Sequence, residues 1–247
     1  MSTTLLQGDC LELMKTLPDA SVGLILTDPP YGITANKWDV MPDLAAWWQE
    51  AHRVCTGAIV MTAGQPFASQ VVVSNIKRFK HEWIWRKSMG SNFINTCREP
   101  FKEHESVLVF AQGKWAYNAQ REARRGTGAT RTRGASNTKS NSGNYRAFER
   151  IANEPMPDRL PSSVQEFNVE RGLHPTQKPL TLFRYLVQTY SNAGDTVLDC
   201  YMGSGTCGAA CVELSRDFIG MELDPAYFAI AQRRIEAAQA QGVLVTT

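Results

Sequence analysis

DTVLDCYMGSGTCGAAC, residues Asp195–Cys211, begins as an apolar strand and breaks into a glycine-rich turn before a run of small residues suited to a helix. Gly203, Gly205 and Gly208 stand at G-x-G-x-x-G spacing, and Glu222 lies near the end of the next apolar segment, RDFIGMELD. A strand, a glycine turn, a helix and an acidic residue about twenty positions on make a βαβ unit that can receive an adenosine-bearing ligand. The glycines let the backbone approach the ligand, and a carboxylate after the second strand can accept hydrogen bonds from both ribose hydroxyls. Taken alone, the pattern also fits a nicotinamide dinucleotide site, or a turn that binds nothing.

Its position in the chain narrows this. Only one further helical segment, PAYFAIAQRRIEAAQA, follows the unit, so the rest of the sheet must come from the N-terminal half. A nicotinamide-binding domain normally opens its sheet with the glycine turn, and the order here counts against a dehydrogenase. The N-terminal half alternates SVGLILT (strand), DLAAWWQEAHRVC (helix), GAIVMTA (strand) and a helix within FASQVVVSNIKRF, then the strands HEWIWRK and ESVLVFAQ. Strands separated by helix-length segments predict an α/β fold with a mostly parallel, doubly wound sheet. Trp47, Trp48, Trp83 and Trp85 lie on these amphipathic or buried elements and are expected to pack in the core.

Between the first strand and the first helix stands LILTDPPYGITANKWD, Leu24–Asp39. Pro29 and Pro30 must end the strand, since neither has an N–H for the ladder and each fixes its own φ. Asp28 and Tyr31 are thereby presented rigidly at a strand end.

At 247 residues and 43% hydrophobic, the chain can bury one sizeable core with a smaller insertion. No run of eighteen apolar residues occurs, and the N-terminus lacks the pattern of a signal peptide, so a cytoplasmic location in a bacterium or a phage-infected cell is expected. The six cysteines are dispersed and contain no C-x-x-C pair, which predicts reduced, packed thiols and no metal site. The net charge of +2 is small, but residues 112–150 carry nine basic side chains against two acids. The segment GTGATRTRGASNTKSNSGNY within it has almost no large apolar residue and cannot form a core unaided. Order returns near HPTQKPLTLFRYLVQTYS, where Pro179 is expected in the first turn of an amphipathic helix.

With both motifs in view, the sequence resembles the S-adenosylmethionine-dependent DNA amino-methyltransferases of the β class, the N6-adenine/N4-cytosine family. The blocks that carry the resemblance are GDCLELMKTLPDASVGLILTDPPYG, HESVLVF, HPTQKP, VLDCYMGSGT and FIGMELDPAYFAIAQRRI, in that order. The chain departs from the family at Cys200 and Tyr201, where proline and phenylalanine are usual, and at Cys207, where a second threonine is usual. These changes bear on cofactor affinity more than on cofactor identity.

The resemblance implies a Rossmann-like fold with circularly permuted motif order. Residues 1–111 would form the catalytic half, 112–171 a basic target-recognition insertion and 172–247 the cofactor-binding half. It assigns catalysis to Asp28, Pro29, Pro30 and Tyr31. S-adenosylmethionine would be held by Asp9, Lys178, Asp199, Gly203, Ser204, Gly205, Thr206 and Glu222. Asp9 could equally be a helix N-cap, and Lys178 an ordinary solvated lysine.

The implied reaction is methyl transfer to an exocyclic amine of a base flipped out of double-stranded DNA. Adenine N6 is favoured over cytosine N4, because the aspartate form of the motif is the usual adenine form in the family. No Pro-Cys nucleophile of the cytosine-C5 type is present. Arg121, Arg124, Arg125, Arg131, Arg133 and Lys139 are the expected DNA contacts. The alternatives are methylation of RNA or of a protein amide, which motif order disfavours, and a DNA-binding protein without catalysis. His174 could touch cofactor or substrate, or only stabilise a turn. A homodimer and a cognate restriction endonuclease are partners on which the residues do not decide.

Overall fold

Leu24, Ile25 and Leu26 are completely buried, which requires cover on both faces of their strand. The computed structural model provides it; residues 1–33, 39–123, 158–170, 172–173 and 175–245 are described. The first half of the chain runs β1 (Thr3–Gln7), α1 (Cys10–Met14), β2 (Val22–Thr27), α2 (Leu44–Val54), β3 (Cys55–Ala63), α3 (Phe67–Ser74), β4 (Phe79–Ser91) and β5 (Lys102–Ala111). After the short strands β6 (Glu122–Ala123) and β7 (Asp158–Arg159) come β8 (Val164–Phe167), α4 (Leu180–Tyr190), β9 (Thr196–Asp199), α5 (Thr206–Glu213), β10 (Asp217–Glu222) and α6 (Pro225–Val245).

Among the described residues the main sheet has eight strands in the order β1-β10-β9-β2-β3-β5-β4-β8. The first five are mutually parallel. β5 runs against both of its neighbours, and β8 is parallel to β4. The expected mostly parallel sheet therefore contains one reversed strand. Its cause is local: β4 and β5 are joined as a hairpin with only a three-residue 3-10 turn (Phe93–Asn95) between them, too short to carry the chain back across the sheet.

The strand period of two sorts side chains onto two faces. Leu24, Leu26, Val60 and Val107 pack with Leu186 of α4, Cys211 of α5 and Ile235 of α6. Ile25, Ile59, Met61 and Phe110 pack on the other side with Met14 of α1, Trp47 of α2 and Phe67 of α3. All four expected core tryptophans are buried. Trp83 donates through Nε1 to Tyr190 Oη (2.5 Å), and Trp85 donates to the Phe167 carbonyl (3.0 Å).

α3 lies within FASQVVVSNIKRF as expected and stops at Ser74, where Asn75 leaves helical geometry. Pro179 is the N-cap of α4 rather than a residue of its first turn, with ψ at 137°. Five thiols are buried as expected, but Cys97 is exposed. Among the described residues no helix is long and apolar enough to cross a membrane.

The chain divides into two units, Met1–Asn118 with Ser163–Thr247, and Ala119–Ser162. Trp115, Phe167 and Val169 pack against the core of the first unit. Within the second unit β6 and β7 pair antiparallel, and Arg121 grips Asp158 with two hydrogen bonds of 2.7 and 2.8 Å.

Tyr190 Oη receives the Trp83 N–H and lies 2.7 Å from His81 Nε2, whose ring burial keeps below its ordinary pKa. Tyr190→Phe leaves the Trp83 N–H buried without an acceptor, at an expected cost of about 1–3 kcal/mol. The midpoint of urea unfolding measures it; an unchanged midpoint contradicts the role.

Candidate active site at the carboxyl edge of the sheet

In the chain β2 leads to β3 on one side of the sheet, while β9 leads to β10 on the other. The strand order therefore reverses between β2 and β9, and a crevice opens outside their carboxyl ends, where open α/β sheets take ligands. Thr27 and Asp199 close the base of that crevice: Thr27 Oγ1 donates to Asp199 Oδ1 at 2.7 Å. The Tyr201 N–H donates to the same oxygen at 3.1 Å. Burial nonetheless raises the Asp199 carboxyl to about 7, against the lowering effect of these two bonds.

On the β9–β10 side, Glu222 is fixed by two backbone donors, Gly203 N–H to Oε2 (2.9 Å) and Asp224 N–H to Oε1 (2.8 Å). Burial raises its pKa. A carboxylate offers about four acceptor positions, so these backbone donors leave it able to accept from a ligand hydroxyl. Gly205 has φ +76°, and a Cβ there would come within 2.9 Å of Ala231 Cα on α6. At Gly208 a Cβ would meet Ile235 Cδ1 at 2.4 Å, so this glycine serves the packing of α5 against α6.

Ser204 and Thr206 are placed differently from the glycines. Their side chains are buried and accept from Arg234 Nη1 at 3.3 and 2.8 Å. Both hydroxyls are thus committed to α6, and the Ser204 carbonyl lies 3.4 Å from the same Arg234 nitrogen. Asp9 caps α1, taking the N–H groups of Leu11 and Glu12 at 3.0 and 3.2 Å. It also adjoins the acidic strand end, because the Gly8 N–H donates to the Glu222 carbonyl at 2.9 Å.

On the β2–β3 side stands Asp28. Its Oδ1 accepts from the Tyr31 hydroxyl at 2.9 Å and from the Thr62 hydroxyl of β3. Its Oδ2 pairs with Lys178 Nζ at 2.8 Å. Pro29 is buried, and beyond Tyr31 the loop is tied down by Asp39, which accepts from the Gly32 and Ile33 N–H groups at 2.8 and 2.9 Å. Phe67 stacks on the Tyr31 ring with centroids 5.4 Å apart. Burial, reinforced by the charges of Asp28 and Glu105, pushes the Tyr31 phenol well up, so it remains a donor.

Lys178 is only 7% exposed and is no solvated surface lysine. It also approaches Glu105 Oε2 of β5 at 3.4 Å, and Glu105 Oε1 pairs with Lys87 of β4 at 2.5 Å. Burial alone would lower Lys178, but Asp28 and Glu105 outweigh it and hold its pKa above the usual value. Burial would likewise raise Glu105, yet Lys178 and Lys87 bring it below the usual carboxylate range. Two carboxylates and two ammonium groups thus share one partly buried cluster.

Glu105, Lys87, Thr62, Thr27 and Arg234 were not singled out by the sequence. A faint signal existed for the first two. HEWIWRK ends in a base and ESVLVFAQ begins with an acid, and in the hairpin Glu105 stands opposite Trp85 with Lys87 its diagonal neighbour on the same face. Arg121 is described and engages Asp158, whereas Arg124, Arg125, Arg131, Arg133, Lys139 and His174 lie outside the described residues.

Residues 22–233 match a family model described as DNA methylase. The DNA adenine methyltransferase YhdJ of Escherichia coli K12 is 29% identical over 259 residues, covering 95% of this chain and 83% of that protein. Among solved structures, the M1.HpyAVI–SAM complex superposes with a TM-score of 0.64 at 24% identity, covering 94% of this chain and 98% of that one. The cytosine-N4-specific PvuII DNA methyltransferase superposes at 0.65 with 16% identity, covering 98% and 92%. These two superpositions establish the Rossmann-like fold.

The buried Asp199 makes stability depend on pH in a defined direction. With a folded-state pKa of about 7, it holds its proton more tightly than the unfolded chain, in which an aspartate titrates near 3.9. Between about pH 4 and 7 the folded state binds the extra proton, so stability falls as pH rises through that window. Asp199→Asn is expected to flatten this slope, by on the order of a few kcal/mol across the window. Urea midpoints of both proteins, measured from pH 4 to 7, test it.

Proposed function

The chain belongs to the DNA methylase family, and we propose that it transfers the methyl group of S-adenosylmethionine to the exocyclic amine of a base in double-stranded DNA, adenine N6 in preference to cytosine N4. The observation that carries the reading is the placing of Asp28 on one side of the Thr27–Asp199 hydrogen bond and of the Gly203–Glu222 turn on the other. Acceptor and cofactor seat share one crevice.

The donor set fits the cofactor. Glu222 can still accept from a ribose hydroxyl, the Gly203–Gly205 turn brings backbone close, and Asp199 and Asp9 flank it. When bound, S-adenosylmethionine supplies a sulfonium-activated methyl group, which leaves sulfur as the amine nitrogen takes it up. This chain's residues act on the amine. Its lone pair is delocalised into the base, and an acceptor for each N–H draws the nitrogen towards tetrahedral geometry. The Asp28 carboxylate is one acceptor and the Pro29 carbonyl the other, held by the two prolines and the Asp39 tether. The proton that the nitrogen must lose passes to Asp28 or to water. Phe67 stacks on the Tyr31 ring and the Lys178 ammonium lies over it, 5.3 Å from its centroid, so a base that stacks here must take the place of that ammonium.

Extruding the base costs stacking energy, and the basic region within 112–171 is assigned the phosphate and base-edge contacts that offset it. Adenine is favoured by the aspartate form of the motif and by the likeness to YhdJ. Cytosine N4 is the second reading, favoured by the likeness to the PvuII enzyme.

Transfer of tritiated methyl from S-adenosylmethionine to unmethylated duplex DNA, with analysis of the digested nucleosides, tests the reading. N6-methyladenine is expected, and Asp28→Ala should lower the rate by about a hundredfold or more. N4-methylcytosine would reassign the base. Absence of incorporation in the presence of demonstrated cofactor binding would overturn DNA methylation.

A further inference from the structure

Asp28 is crowded for a residue that must receive a substrate. The hydroxyls of Tyr31 and Thr62 and the Lys178 ammonium occupy three of the roughly four acceptor positions of its carboxylate. The ammonium also offsets the negative charge that makes the carboxylate a good acceptor for an amine N–H.

Glu105 presents the opposite situation. Its Oε1 is held by Lys87 at 2.5 Å, while its Oε2 is approached by two donors that are both too far for a good hydrogen bond, Lys178 Nζ at 3.4 Å and Tyr31 Oη at 3.5 Å. These are two of the donors that now hold Asp28. Glu105 is therefore an ionised, largely buried carboxylate with one oxygen under-supplied, facing donors engaged elsewhere.

We propose that Glu105 is a positioning residue that receives Lys178 when the target amine takes its place on Asp28. Lys178 Nζ already stands between the two carboxylates, 2.8 Å from Asp28 Oδ2 and 3.4 Å from Glu105 Oε2, at the end of a long side chain. The exchange exposes no new charge, since the two carboxylates and two ammonium groups stay together throughout. Lys87 on β4 fixes the receiving carboxylate, and Thr62 on β3 keeps Asp28 in place while the exchange occurs. Before the base arrives, the same contact with Lys178 spares Asp28 from standing unpaired. The inference rests on the amine-methylation reading and adds a residue and a step to it.

The test is a double-mutant cycle of Glu105→Gln and Lys178→Gln, read as the single-turnover rate of methyl transfer from S-adenosylmethionine to duplex DNA, both saturating. Glu105→Gln alone leaves Lys178 on Asp28 and should slow transfer about tenfold or more, with Kd for DNA and for cofactor within about twofold of native. Made in the Lys178→Gln background, the same substitution should cost about twofold or less, because the group it acts through is gone. An equal cost in both backgrounds would mean a merely structural role and overturns the proposal, as does an unslowed Glu105→Gln. Glu105→Asp, which keeps the charge but withdraws it, serves where Glu105→Gln does not fold and should show the same dependence on Lys178. If the native protein transfers no methyl to DNA, the reaction itself is misassigned; if it does and the cycle is additive, only the exchange fails.

Discussion

The pairing of β2 with β9 holds the molecule together at its middle. Leu24 lies beside Val197 and Ile25 beside Leu198, and just beyond them the Thr27–Asp199 bond joins residues 172 positions apart. Each half of the chain can lay strands outward from this seam, but neither half alone has a completed edge. The crevice exists because the two halves depart in opposite directions from that pair. Asp28, the last step out of β2, and the Gly203 turn, the first step out of β9, are neighbours for this reason alone.

The price of such a site is a charge cluster that cannot be dismantled piecemeal. Lys178 and Glu105 are mostly buried, and removing any one member strands its partner in a medium that solvates charge poorly. The four groups are tolerable together because they come from different elements yet sum to zero. Lys87 stands on β4, Glu105 on β5, Asp28 after β2 and Lys178 just before α4. Hairpin geometry supplies half of the cluster, and the seam between β2 and β9 supplies the rest.

How much of this the residues disclose in advance follows from the range of each interaction. The burial of Leu24 to Leu26, the strand-ending prolines and the glycine turn with Glu222 are written in short stretches, where local periodicity and backbone restriction decide. The reversed strand β5 was not legible, since an apolar run such as VLVF carries no sign of direction. Nor were Thr62 and Thr27, whose hydroxyls matter only because a carboxylate arrives from elsewhere in the fold. Lys178 could be taken for a solvated lysine, because its environment is built by Asp28 and Glu105, both far away in sequence. The bonds from Arg234 to the Ser204 and Thr206 hydroxyls were not legible either, since they join the turn to the last helix.

The exposed Cys97 gives this enzyme a use its chemistry does not require. Burial raises the thiols of Cys10, Cys55, Cys200 and Cys207, leaving them poor nucleophiles, whereas Cys97 lies open between β4 and β5. Because β4 is parallel to β3, that connection projects from the same edge of the sheet as Asp28. A maleimide dye therefore has an attachment point on the same edge of the sheet as the crevice and outside its hydrogen-bonded network. The native chain can be labelled as a fluorescent reporter of events at its own mouth without first being stripped of its other cysteines.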